Sequence, residues 1–249
     1  MPEQTAQSNQ DSSLVARHSS LGLAEARALV ASPLWPRIRA FLWQFASLCD
    51  PARLAAAAGG SGGAAPRSSD LLDAPRVAAG ALRSIGVEPV FHPFPATDAS
   101  RLLLLSREDY DRLAQFLGVV ALAPALRRVT AGADVRALKA ALPGVFPEAL
   151  AFAAYFHKHA PLFTQIAPAD APANPAAVLA AGHRLLAAAL SDLPPELLLR
   201  QRLRFPVGSP ADGAFGGASS PGEPQAEALQ AARLALKLSN PSESATLFP

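Results

Sequence analysis

Apolar positions recur at steps of three and four through several separate stretches of this chain, and that period predicts helices. The spacing predicts a short helix over Leu21 to Ala31, with Ser32-Pro33 marking a cap and restart into a second. In the second, Trp35, Ile38, Phe41, Leu42, Phe45 and Leu48 form one apolar stripe, and Arg37 and Arg39 lie off it. Leu71 to Ile85 reads as a modest helix interrupted by Pro75, and Val87 to Thr97, with prolines between apolar residues, reads as extended.

The clearest signals come later. Ser106 followed by Glu108 and Asp109 is a helix start, with Asp109 where a capping box places an acid. Tyr110, Leu113, Phe116, Leu117 and Val120 then trace one face, and Pro124 ends or kinks the helix. Arg127 and Arg128 fall near the next C-terminus, which Gly132 closes. Val135, Leu138 and Leu142 mark a short helix ended by Pro143-Gly144, and Pro147-Glu148 opens another through about Lys158. Asn174-Pro175 is an N-cap with proline at the first helical position, before the stripe Val178, Leu179, Gly182, Leu185, Leu186, Ala189 and Leu190. Leu113, Phe116 and Leu117 are expected to share one core with Leu185 and Leu186. Pro194-Pro195-Glu196 starts a last core helix, and an isolated amphipathic stretch, Glu227 to Leu238, presents Leu229, Ala232 and Leu236 on one face.

Composition then sets the domain map. With 16 Gly and 24 Pro in 249 residues, much of the length is connection, yet 50% of residues are hydrophobic and supply a core. Aromatics are only 6%, so alanine carries much of that share, which favours closely approaching helices. The expected fold is all-α: a single irregular multi-helix domain with a disordered N-terminal arm and Gly/Pro/Ser-rich linkers. Residues 1–20 are the arm, 21–206 the helical domain with a flexible linker at about 55–70, 207–224 a second linker, and 225–249 the amphipathic tail helix and end. The start lacks a basic segment followed by an apolar one, and no apolar run approaches the ~20 residues of a membrane span, so a cytoplasmic chain without direct membrane insertion is expected.

The net charge of +2 is not the footprint of a nucleic-acid binder. Cys49 is the single cysteine, which excludes an internal disulfide and any Cys-rich zinc site. Gly59, Ser61 and Gly63 match G-x-S-x-G, but alanines precede them where a nucleophile elbow needs a buried strand. His157 and His159, two apart on a predicted helix, point to different faces and suit no shared metal. Neither phosphate-cradling glycine motif is present. No catalytic, cofactor or metal residue is therefore assigned, and no enzyme is expected. Two features stand as candidate partner-binding sites: the basic group Arg127, Arg128, Arg136 and Lys139, and the tail residues Leu229 and Leu236. A second basic run, Arg200, Arg202 and Arg204, reads as a solvated face with helix-end compensation.

The stretch Leu102 to Phe152 resembles the central helical block of the SctK (YscK-like) family of type III secretion sorting-platform proteins. Leu126, Arg127, Arg128, Gly132, Arg136, Leu138 and Leu142 carry the pattern. LPPELLLRQRLRFP, Leu193 to Pro206, is similar to the family's closing helix, and FASLCDPARL, Phe45 to Leu54, to a degenerate form of its N-terminal segment with Asp50 where a histidine would stand. The resemblance implies a non-enzymatic adaptor at the cytosolic face of the inner membrane, linking an SctD-like ring protein to an SctQ-like platform protein and so, indirectly, to SctL and the ATPase. The competing reading is a helical secretion chaperone or regulator; a serine hydrolase on Ser61 is a third.

Overall fold

Pro36 stands in the first turn of α1 (Trp35–Trp43), where its missing N–H costs nothing, and Ile38, Phe41 and Leu42 turn inward. The computed structural model describes residues 30–59, 75–87, 94–129, 132–166, 172–216 and 224–248, and every element among them is helical. A 3-10 turn over Phe45–Ser47 leads to Asp50, whose carboxylate accepts from the N–H groups of Ala52 and Arg53 at 3.2 Å each and so starts α2 (Pro51–Gly59). Pro75 opens α3 (Pro75–Ser84) rather than interrupting it, and α3 packs on α2. Asp98–Leu102 forms α4, capped by Thr97, whose hydroxyl accepts from the Ser100 N–H at 3.2 Å.

The centre is built by α5 (Arg107–Ala121) and α10 (Pro175–Ala189). Ser106 caps α5, accepting from the Asp109 N–H at 3.0 Å while its hydroxyl donates to the Asp109 carboxylate at 2.6 Å. Asn174 caps α10 by accepting from the Ala177 N–H at 2.9 Å. Between them run α6 (Ala123–Leu126), α7 (Gly132–Ala141), α8 (Phe146–Phe152), a 3-10 segment Ala153–His159, and α9 (Ala160–Ile166). After α10 come α11 (Pro195–Leu203), α12 (Pro210–Gly216), α13 (Pro224–Ser239) and α14 (Pro241–Leu247). Leu113, Phe116, Leu117, Leu185 and Leu186 are all buried in one cluster, as the periodicity required.

Several expected boundaries shift. Gly132 begins α7 instead of closing the helix before it, and the helix from Pro147 tightens into 3-10 geometry at Ala153. Helix α2 carries the chain through Gly59, so the linker expected from about 55 is helical to that point; the rest of that linker, the 1–20 arm and Ser61 lie outside the described residues. The window 207–224 is not merely connection, because α12 lies in it with Ala211 and Asp212 buried. Asp212 is what holds α12: it pairs with Arg53 of α2 at 2.5 Å and Arg202 of α11 at 2.6 Å, and accepts from the Gly208 N–H at 2.9 Å.

The tail is part of the domain. Helix α13 packs across α10 and α5 through Ala228, Ala231, Ala232, Ala235 and Leu236, all at most 1% exposed, and α14 folds back with Leu247 fully buried. Polar contacts pin this hairpin to α1 and to α4 and α5. Arg37 of α1 forms a two-pronged pair with Glu243, Asn240 donates to Asp109 at 3.1 Å, Arg101 donates to the Leu247 carbonyl at 3.1 Å, and Arg233 meets Asp98 at 2.5 Å. Among the described residues no single helix is long and apolar enough to cross a membrane.

Candidate functional site

Residues read from the sequence as one group separate here into core and surface. Leu126, Leu138 and Leu142, which share the Arg-rich block, are buried, whereas Arg127, Arg128, Arg136 and Lys139 are exposed. Arg127 is the C-cap residue of α6, and Arg128 follows it; Arg136 and Lys139 lie a helix further on, along α7. None of the four forms an ion pair with another described residue. Arg37, Arg53, Arg202 and Arg233, by contrast, are each paired with a carboxylate of the domain.

The tail positions have a different role from the one expected. Leu236 is 1% exposed, so its own domain covers it and it is not free for a partner, while Leu229 is half-buried against the same core. The physical reason is the alanine face of α13, which lets that helix lie close against α10.

The second basic run is also reassigned. Only Arg202 remains on the outside, half-exposed against Asp212; Arg200 and Arg204 are buried. Arg204 donates to the carbonyls of Leu103 and Leu105 at 3.0 and 2.6 Å and to the Gln201 side chain at 2.9 Å, satisfying backbone acceptors in the turn after α4. Burial lowers its pKa to about 10, with the Asp111 carboxylate pulling the other way, so it stays charged at neutral pH. Arg200 donates to the Phe41 carbonyl at 3.3 Å and lies over the Phe45 ring at 5.2 Å. Leu197, Arg200, Gln201 and Arg204 stand at helical steps on one face, a spacing that marks an inward stripe in which arginine takes the place of an apolar residue.

Titratable groups beside this network are aromatic-packed rather than convergent on open space. Tyr110 is fully buried, its ring stacked 6.0 Å from that of His183 and tilted against that of Phe205 at 5.5 Å. Burial pushes its hydroxyl far up and pushes His183 down to about 4. Among the described residues the one carboxylate paired with His183 is Asp111, at 3.6 Å. Cys49 is buried with its thiol donating to the Leu203 carbonyl at 3.4 Å, and burial, with Asp50 beside it, raises it to about 11. His157 is exposed and His159 approaches Glu227 at 3.6 Å, so the two do not converge, and no group of three metal-ligating side chains occurs among the described residues.

The surface carries open depressions. One, about 620 Å³, runs between α5 and the Pro143-Gly144 turn and is lined by charges of both signs, Arg107, Glu108, Asp111 and Arg112. A smaller one, about 200 Å³, lies where α5 breaks into α6 and faces the 3-10 segment and α9; its lining is mostly apolar, with Arg127 its one permanently charged member among the described residues. Against family models, curated proteins and solved structures alike, this chain finds no match.

Proposed function

We propose that the chain is a non-enzymatic adaptor of a type III secretion system, working at the cytosolic face of the inner membrane. It bridges an SctD-like ring protein to an SctQ-like sorting-platform protein and through it, indirectly, to SctL and the ATPase. The observation that supports this reading is the split within the block that resembles SctK. Leu126, Leu138 and Leu142 build the core, and Arg127, Arg128, Arg136 and Lys139 stand outside it without an acidic partner among the described residues. Exposed charge of one sign on a helical scaffold steers an oppositely charged protein face and sets register more than it holds the complex.

The test is pairwise binding of the purified full chain to an SctD-like cytosolic domain and to an SctQ-like protein, with and without Arg127→Glu/Arg128→Glu. Binding to both is expected, with the double reversal weakening one contact by roughly tenfold and with wild-type association falling steeply as salt rises. Failure of the folded wild-type chain to bind either protein overturns the adaptor reading.

A further inference from the structure

We infer that the groove between the α5–α6 break and the Ala153–Phe163 stretch is the seat for an acidic amphipathic segment of a protein partner, one bulky apolar side chain entering it and a flanking carboxylate meeting Arg127. This deepens the adaptor reading and rests on it. Helix α5 stops at Ala121 and Pro124 sits in the first turn of α6, and the groove opens beside this break. Phe156 and Phe163 form its floor, their rings 6.1 Å apart, and small residues, Ala125 and Ala160, form walls that give a bulky group room.

Charge selects the occupant. Among the described residues the lining contains Arg127 and the exposed His157 and no Asp or Glu, so a carboxylate meets the Arg127 cation and no like charge from them. The other depressions present their guanidinium groups differently. The groove beside α5 carries Glu108 and Asp111 among its cations. The one under α1 contains Arg37 already paired with Glu243. In the groove of the α13–α14 hairpin, Arg233 is held by Asp98 and the other cation is the ammonium of Lys237, which lacks the planar fork that grips a carboxylate two-pronged. Arg127 combines an exposed guanidinium, unpaired among the described residues, with a mostly apolar cleft beside it. An apolar anchor framed by charge-assisted contacts is the arrangement that concentrates binding energy in an interface.

Two substitutions probe the seat without touching its floor. Thr164 is exposed at the rim, its hydroxyl donating to the Ala160 carbonyl at 2.9 Å, and Thr164→Glu places a carboxylate where the partner's would approach. Arg127→Glu reverses the attracting charge. The probes are the SctD-like cytosolic domain and the SctQ-like protein, each titrated against full-length wild type and both variants, with melting temperature recorded alongside. A photo-crosslinking residue at position 164 identifies the bound segment by mass spectrometry.

The expected result is a loss of at least tenfold in affinity for one of the two proteins in both variants. Affinity for the other protein and the melting temperature should be unchanged, and the crosslink should fall on a segment with carboxylates around a large apolar residue. Wild-type affinity in two folded variants overturns the groove and leaves the adaptor reading standing, as does a crosslink to a basic or wholly polar segment. Absence of binding by the wild-type chain overturns both. If Thr164→Glu loses its fold, Arg127→Glu, fully outside the core, and the crosslink decide the question.

Discussion

Gly118 of α5 lies so close to Val178 of α10 that a Cβ built on the glycine would sit 1.9 Å from the Val178 carbonyl oxygen. The relation is reciprocal, because a Cβ on Gly182 would sit 1.8 Å from the Ala114 carbonyl oxygen. Each helix thus places a glycine against the other's backbone, four residues after the position that meets the partner's glycine. The central pair approaches more closely than any side chain allows, and α8 and α13 then pack around it.

Gly118→Ala and Gly182→Ala should therefore each destabilise the domain by at least about 3 kcal/mol, since the clash is with backbone that cannot rotate away. That sign opposes propensity, which favours alanine over glycine in a helix by about 1 kcal/mol. Gly80 of α3 has nothing within 4 Å of its Cβ position, so Gly80→Ala is the control and should be neutral or mildly stabilising. Urea unfolding of the three variants checks this; equal midpoints would show that the crossing is looser than described.

Legibility followed locality. Ser106 and Asn174 were readable as caps because a cap is a side chain bonding its own next turn, with no distant partner required. Gly182 stood visibly in an apolar stripe, but its purpose depends on Ala114, a residue far off in sequence, and no local pattern carries that. Helix α12 was hidden because its composition is that of a linker and its anchor, Asp212, is held by arginines from two other helices. The tail looked independent because its buried face is mostly alanine, which contrasts weakly with solvent-facing positions and gains its burial only against distant elements, α10 and α5. The basic group Arg127, Arg128, Arg136 and Lys139 was legible as exposed, whereas the shape of the groove beside Arg127 depends on three segments meeting.

Because α13 and α14 complete the core, removing 224–249 should unfold the domain or leave it expanded, instead of detaching one partner from a sound fold. Leu236→Ala alone should cost about 2 to 5 kcal/mol, as truncation of a fully buried leucine does. Near-ultraviolet circular dichroism and thermal unfolding of the truncated chain decide between the two. Retention of a cooperative transition near the wild-type midpoint would mean that α13 is a separable lid on a core closed without it.

Acid should loosen the fold in two stages whose order follows from two buried groups. His183 is held neutral by burial, its pKa lowered to about 4 from an ordinary value of 6.5. The unfolded chain therefore binds a proton there first, so stability is full above about pH 6.5 and falls as pH drops toward 4, by at most about 1.4 kcal/mol per unit. Asp111, facing His183 at 3.6 Å, works against this, because burial raises its pKa and its protonation favours the folded state as pH falls. Asp212 acts next. Burial alone would raise its pKa, but hydrogen bonds from Arg202, the Gly208 N–H and Arg53 outweigh it and bring the carboxyl to about 2. Its contribution is present above the unfolded value of about 3.9 and is lost as pH falls through that window toward 2. Melting temperatures measured from pH 7 to 2 should decline across both windows, with His183→Leu flattening the first slope and Asp212→Asn the second, whatever the absolute stability of each variant. A wild-type slope between pH 6.5 and 4 that persists in His183→Leu would assign the first stage to another group and remove His183 from the account.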